Sequence, residues 1–151
     1  MHILAKKELF EKKIASKILK SFNGIPIDRE NPGINSIIQV TRALKNGCKV
    51  GIFPEGYIHQ KRKLQHFRPG VFKIAQKANV PIVVCTVRDT HHVVKNLLKC
   101  KTSDSHMHVL VVIPVEELAG KTTVEIAQRA YDLMAADLGP ENVLTEVEEN
   151  T

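Results

Sequence analysis

The chain has 151 residues, 43% hydrophobic and 25% charged, the balance of one globular domain with a single core, which excludes disordered, collagen-like and disulfide-scaffold classes. Its longest apolar runs, "PIVVCTV" and "VLVVIPV", fall far short of the roughly 20 residues that a spanning helix needs. The net charge of +6 hides a division: residues 1–101 carry 20 Lys/Arg against 6 Asp/Glu, and residues 102–151 carry 2 against 10. So basic a half attracts polyanions, whether nucleic acid, anionic lipid head groups or a phosphorylated small substrate.

In chain order, "HILAK" reads as the end of a strand, and "MHILAKKELFEKK" turns charged before any secretory apolar region develops. "ELFEKKIASKILKSF" places Phe10, Ile14, Ile18 and Phe22 four apart, which predicts an amphipathic helix with Lys12, Lys13, Lys17 and Lys20 on its other face. Such a helix docks its apolar side on a sheet or lies in a membrane interface. The two are compatible if the lysines, rather than the apolar face, meet the membrane. "GIPID" is a short strand, and "NPGINSIIQVTRALKNG" a helix closed by Gly47. "KVGIF" is an apolar strand stopped by Pro54. "RPGVFKIAQKANV" is a helix, "PIVVCTV" a buried strand and "MHVLVVIPV" another. "TTVEIAQRAYDLMAADLG" is a final amphipathic helix, after which "PENVLTEVEENT" is expected to fray. One domain over 1–139 and an acidic tail over 140–151 are expected. Cys48, Cys85 and Cys100 are odd in number and lack CxxC spacing, so reduced thiols in a cytosolic protein are expected, with Cys48 and Cys85 as small core residues.

Alternating strands and helices, with strands apolar throughout, predict an α/β fold: a largely parallel sheet with helices on both faces. Such sheets bind ligands beyond the carboxyl ends of their strands. Asp28-Arg29 follows one such end and Pro54-Glu55-Gly56 another. The segment "GIFPEGYIHQKRK" then turns from apolar to basic within a few residues, as a site for an anion beside a core would.

The ordered segments "GIPIDR" (24–29), "GIFPEG" (51–56), "LQHFRPGVFKIA" (64–75) and "VPIVV" (80–84) resemble the motifs of the phospholipid/glycerol acyltransferase family. Its best-known members are the 1-acylglycerol-3-phosphate acyltransferases. "LAKKEL" near the start and "HVLVVIPVEEL" near the end fit as well. Phe-Pro-Glu-Gly carries little by itself; the ordered set is specific. The resemblance implies acyl transfer from acyl-CoA or acyl-ACP (the carrier-protein thioester) to lysophosphatidic acid in phospholipid biosynthesis, with no bound cofactor and no metal. It also implies a cytoplasmic protein peripheral on the inner face of the cell membrane, whose partners are a lysophospholipid acceptor, an acyl donor and an anionic membrane surface. Arg29 matches the family's phosphate-binding arginine, a role that suits a guanidinium fork. Glu55 and Gly56 match its acceptor-site pair, with Asp28, Pro54 and Gly24 beside them in the same motifs.

Two departures stand out. The family follows Phe-Pro-Glu-Gly with Thr or Ser and then Arg, where this chain has Tyr57 and Ile58; Lys61, Arg62 and Lys63 are the candidate replacements for that cation. The family's catalytic base lies in a His-x-x-x-x-Asp motif some thirty residues upstream of the "LAKKEL" segment. None of the seven histidines here has an aspartate five positions on, so the motif base is expected to be missing with an absent N-terminal part. His91-His92 and His106-x-His108 lack the Cys or carboxylate cluster that would complete a metal site. The alternative reading is a non-catalytic lipid-phosphate or membrane-surface module. A nucleic-acid binder is disfavoured, since aromatics make up only 5% of the chain, a poor stacking platform.

Overall fold

The computed structural model describes residues 1–28, 34–56, 63–90, 102 and 104–144. Three parallel strands form one sheet in the order β2-β1-β3, with β1 at His2–Lys6, β2 at Gly24–Ile27 and β3 at Val50–Gly51. Ile3 pairs with Gly24 on one side and Gly51 on the other. Helix α1 (Lys13–Ser21) crosses from β1 to β2, and α2 (Ile34–Lys45) from β2 to β3. The chain continues through α3 (Phe72–Ala78) into β4 (Ile82–Arg88) and β5 (His106–Ile113), a separate antiparallel pair. Short α4 (Val115–Leu118) and long α5 (Thr123–Leu138) close the fold. Thr122 caps α5 by accepting the Glu125 N–H, and the Glu125 carboxylate accepts from Thr122 in return.

The α/β class with a parallel sheet is as the sequence predicts; several details differ. α1 begins at Lys13 rather than near Glu8, because Lys7–Leu9 form a 3-10 turn and the Phe10 N–H bonds back to Lys7. "KVGIF" contributes only two paired residues, since the chain bends after Gly51 and the Gly56 N–H closes a turn on the Phe53 carbonyl. β4 is buried on one side only: Val84 and Thr86 face the core, whereas Val83 and Val87 are exposed. α5 packs on this pair, and antiparallel sheets tolerate one open face. Cys48 and Cys85 are free thiols of intermediate burial rather than core residues. The start of the expected frayed tail is docked: the Leu64 N–H donates to the Asn142 carbonyl at 2.7 Å and the Leu144 N–H to the Leu64 carbonyl at 3.0 Å, around a parallel bridge between Leu64 and Val143, and Leu144 is buried.

Two cores result. Leu4, Ile25, Val40 and Ile74 gather around the parallel sheet, and Phe67, Phe72, Val84, Ile113, Leu118 and Ile126 around the antiparallel pair. α3 joins them, giving Ile74 to one and Phe72 to the other. A polar clamp adds to the second. Asp137 on α5 accepts from Thr86 Oγ1 at 2.6 Å, His108 Nδ1 at 2.7 Å and Arg88 Nη2 at 3.2 Å.

Those donors, the Thr86 hydroxyl first and then His108 and Arg88, hold the Asp137 carboxyl down at about 2, from an ordinary 3.8. A depressed carboxyl adds stability above its unfolded pKa and loses it as pH falls through the folded one. Asp137→Asn is therefore expected to be less stable than wild type at pH 5–7, with the gap narrowing between about pH 4 and pH 2. Thermal unfolding across that range reads it, and a gap that is constant with pH would refute it.

Candidate functional site

The three parallel strands bring their carboxyl ends to one edge of the sheet. β1 delivers Lys6, β2 delivers Asp28 and β3 runs into Pro54-Glu55-Gly56. β2 and β3 are not neighbours: β1 lies between, which sets their ends roughly 10 Å apart. That span suits a ligand lying across the edge better than two side chains in contact. α2 opens near the same edge, its Ser36 hydroxyl donating to the Pro26 carbonyl at 2.7 Å. With no acidic residue in its first turn, its amino end leaves a partial positive charge there.

Glu55 is half-buried and accepts one bond, from the Gln65 N–H at 3.3 Å. Burial raises its pKa above the ordinary 4.5, against the lowering by the Gln65 N–H. A carboxylate offers about four acceptor positions, so a ligand hydroxyl can be received beside Gln65. Gly56 adopts φ +84°, and an added Cβ would fall 2.8 Å from Arg68 Nε. Only glycine fits there without strain.

Arg68 is the residue that the sequence reading passed over. Its N–H binds the Pro54 carbonyl at 3.0 Å, and its side chain lies against Gly56, so a guanidinium stands at the very turn where the motif cation is replaced by Tyr57 and Ile58. The signal was present in "HFRPG", part of a matched motif segment and of a helix start, but Arg68 itself was given no role. Lys63 is half-buried, two residues before Gln65. Arg29, Lys61 and Arg62 lie outside the described residues. Gly24 does not join the site: it sits at the amino end of β2, where a Cβ would meet the Leu19 carbonyl at 2.8 Å and the Phe10 ring at 3.1 Å. It is glycine so that α1 can pack against β2. The cavities against α5, one of about 60 Å³ beside His66 and Tyr131, include neither Asp28 nor Glu55. Among the described residues no three His, Cys, Asp or Glu side chains gather as a metal site.

Glu55 and Gly56, with Arg68 against the glycine, stand at the carboxyl edge of the parallel sheet. The acyltransferase family model matches residues 1–88, and the chain belongs to that family. Among curated relatives it is 41% identical over 83 residues to the 1-acyl-sn-glycerol-3-phosphate acyltransferase of Bacillus subtilis (strain 168), a match covering 55% of this chain and 41% of that protein. It is 35% identical over 91 residues to the enzyme of the same name from Cocos nucifera, covering 58% of this chain and 30% of that one. The chain thus spans less than half the length of the curated relatives it matches. In fold it resembles the crystal structure of the 1-acyl-sn-glycerophosphate (LPA) acyltransferase PlsC from Thermotoga maritima, with a TM-score of 0.58 at 18% identity, over 89% of this chain and 57% of that one.

Proposed function

We propose that these residues form the acceptor-binding part of a 1-acylglycerol-3-phosphate acyltransferase. The observation that carries this reading is the carboxyl edge itself, where the segments around Asp28 and Glu55 flank β1 in the family's order. In the reaction the acceptor hydroxyl oxygen bonds to the thioester carbonyl carbon, the C–S bond breaks, and the hydroxyl proton passes through a base to the departing thiolate. Arg29 holds the acceptor's phosphate with a two-toothed guanidinium, helped by Lys61, Arg62 and Lys63. Glu55 receives a glycerol hydroxyl, and Gly56 lets the backbone approach it. Arg68 supplies the cation that the motif position lacks. The acyl donor is a thioester of coenzyme A or acyl carrier protein, and the work is done at the inner face of the cell membrane.

A second reading keeps the same residues as a lipid-phosphate binding module without chemistry.

Binding tests the acceptor site under both readings. Arg29→Ala is expected to weaken binding of a short-chain lysophosphatidic acid about 10- to 100-fold, the scale of a hydrogen bond to a charged group. Binding of the matching monoacylglycerol, which has no phosphate, should be unchanged. Glu55→Gln should weaken both alike, because the hydroxyl is common to them. Calorimetry reads the pair, and an Arg29→Ala chain that still prefers the phosphorylated lipid by the wild-type ratio removes Arg29 from the site.

A further inference from the structure

α1 is the crossover between β1 and β2, yet none of its residues is buried. Ala15, Ser16 and Leu19 are half-covered and mark its inward side. Ile14 is 77% exposed, Ile18 49% and Phe22 57%. At 3.6 residues per turn these three advance about 40° per step around the helix and form one continuous stripe. Lys13, Lys17 and Lys20, all exposed, fill a sector of roughly 60° on the opposite side of the inward face. The outward surface is therefore divided lengthwise, apolar on one side and cationic on the other. The sequence left open whether the apolar side docks on the sheet; in the fold Phe10 lies against Gly24 of β2, whereas Ile14, Ile18 and Phe22 stay exposed.

Three large apolar side chains in one stripe, two on a nine-residue helix and the third at its C-cap, are not scattered surface residues. A protein partner would need its own apolar groove flanked by acids. A bilayer with anionic head groups offers both features at once, phosphates at the surface and hydrocarbon a few ångströms below. No helix among the described residues is long and apolar enough to cross a membrane, so α1 would be a surface contact and not a span.

We propose that α1 is a docking surface for an anionic lipid bilayer, lying in the headgroup plane with Ile14, Ile18 and Phe22 inserted and Lys13, Lys17 and Lys20 on the phosphates. This does not rest on acyl transfer, and it makes the β1–β2 crossover itself the membrane contact.

The experiment uses the 151-residue chain with vesicles of phosphatidylglycerol or of phosphatidylcholine. The chain has no tryptophan, so Phe22→Trp installs a single reporter. Sedimentation is expected to show binding to phosphatidylglycerol vesicles, weak binding to phosphatidylcholine, and loss when salt rises from 0.1 M to 1 M as the Debye length contracts from about 10 Å to 3 Å. On binding, F22W emission should shift to the blue and be quenched by brominated lipid. Changing Lys13, Lys17 and Lys20 together to Gln should weaken binding on the order of a hundredfold, whereas changing the exposed Lys45, Lys73 and Lys77 to Gln should keep most of it. Ile14→Ser with Ile18→Ser should abolish the blue shift. Binding that persists with no F22W shift, or that falls equally with either lysine set, overturns the proposal. A blue shift that appears without lipid and grows with protein concentration also overturns it, because a second copy would then cover the stripe.

Discussion

Supplied with lysophosphatidic acid and an acyl thioester, the purified 151-residue chain is expected to transfer acyl groups about 10²- to 10⁴-fold more slowly than a relative bearing the His-x-x-x-x-Asp motif. That factor is the usual contribution of a positioned general base. The described histidines that sit in contacts are otherwise engaged: His66 stacks on Tyr131 with ring centroids 5.1 Å apart, and His108 binds Asp137 at 2.7 Å. His2 lies at the amino end of β1, opposite the edge that carries Glu55. Without a base the acceptor hydroxyl must lose its proton to water, and binding of the phosphate cannot replace that step. A chimaera in which a segment with the family's His-x-x-x-x-Asp precedes Met1 should recover turnover. Turnover by the 151-residue chain within tenfold of such a relative would show that another group serves as base.

The second large effect concerns stability. Ile126 on α5 is 1% exposed and packs in the cluster with Ile113, at 2%. Ile126→Ala removes buried methyl and methylene groups and leaves a cavity, at a cost of about 2–5 kcal/mol. Against the 5–15 kcal/mol that holds a typical domain folded, that is a large share. Urea unfolding should show the midpoint falling with little change in slope. Because α3 places Phe72 in one core and Ile74 in the other, the loss should be felt by the whole molecule as one transition. Two separated transitions would mean that the parallel sheet stands without the antiparallel pair.

Much of this architecture was legible because the dominant signals are local. The four-residue spacing through α1, the apolar runs of β4 and β5 and the Gly139 end of α5 all mark elements that exist. The α/β class followed from their alternation. Sequence could not show that β3 would pair over only Val50–Gly51, because pairing length depends on where neighbouring strands end. Nor could apolar content tell a strand buried on both faces from one backed by a single helix: Val83 and Val84 read alike, yet one is 54% exposed and the other 4%. At the site, Glu55 was visible through its motif, but Arg68 was not. Its place against Gly56 comes from the Arg68 N–H reaching the Pro54 carbonyl, a contact across fourteen positions that no spacing rule anticipates. Gly24 erred in the other direction, sharing a motif with Asp28 but standing at the far end of the strand.

The turn at Gly56 has an evolutionary consequence. Its φ of +84° strains any side chain there whatever stands beside it, whereas the Arg68 contact adds little, since the exposed, flexible end of that arginine can shift. Drift at 56 is thus closed by the backbone itself, while change at 68 is weighed only against a positive charge at the sheet edge. Lineages descending from this sequence should keep the glycine even where the arginine is exchanged, so one letter of the turn is fixed by geometry and the other by charge.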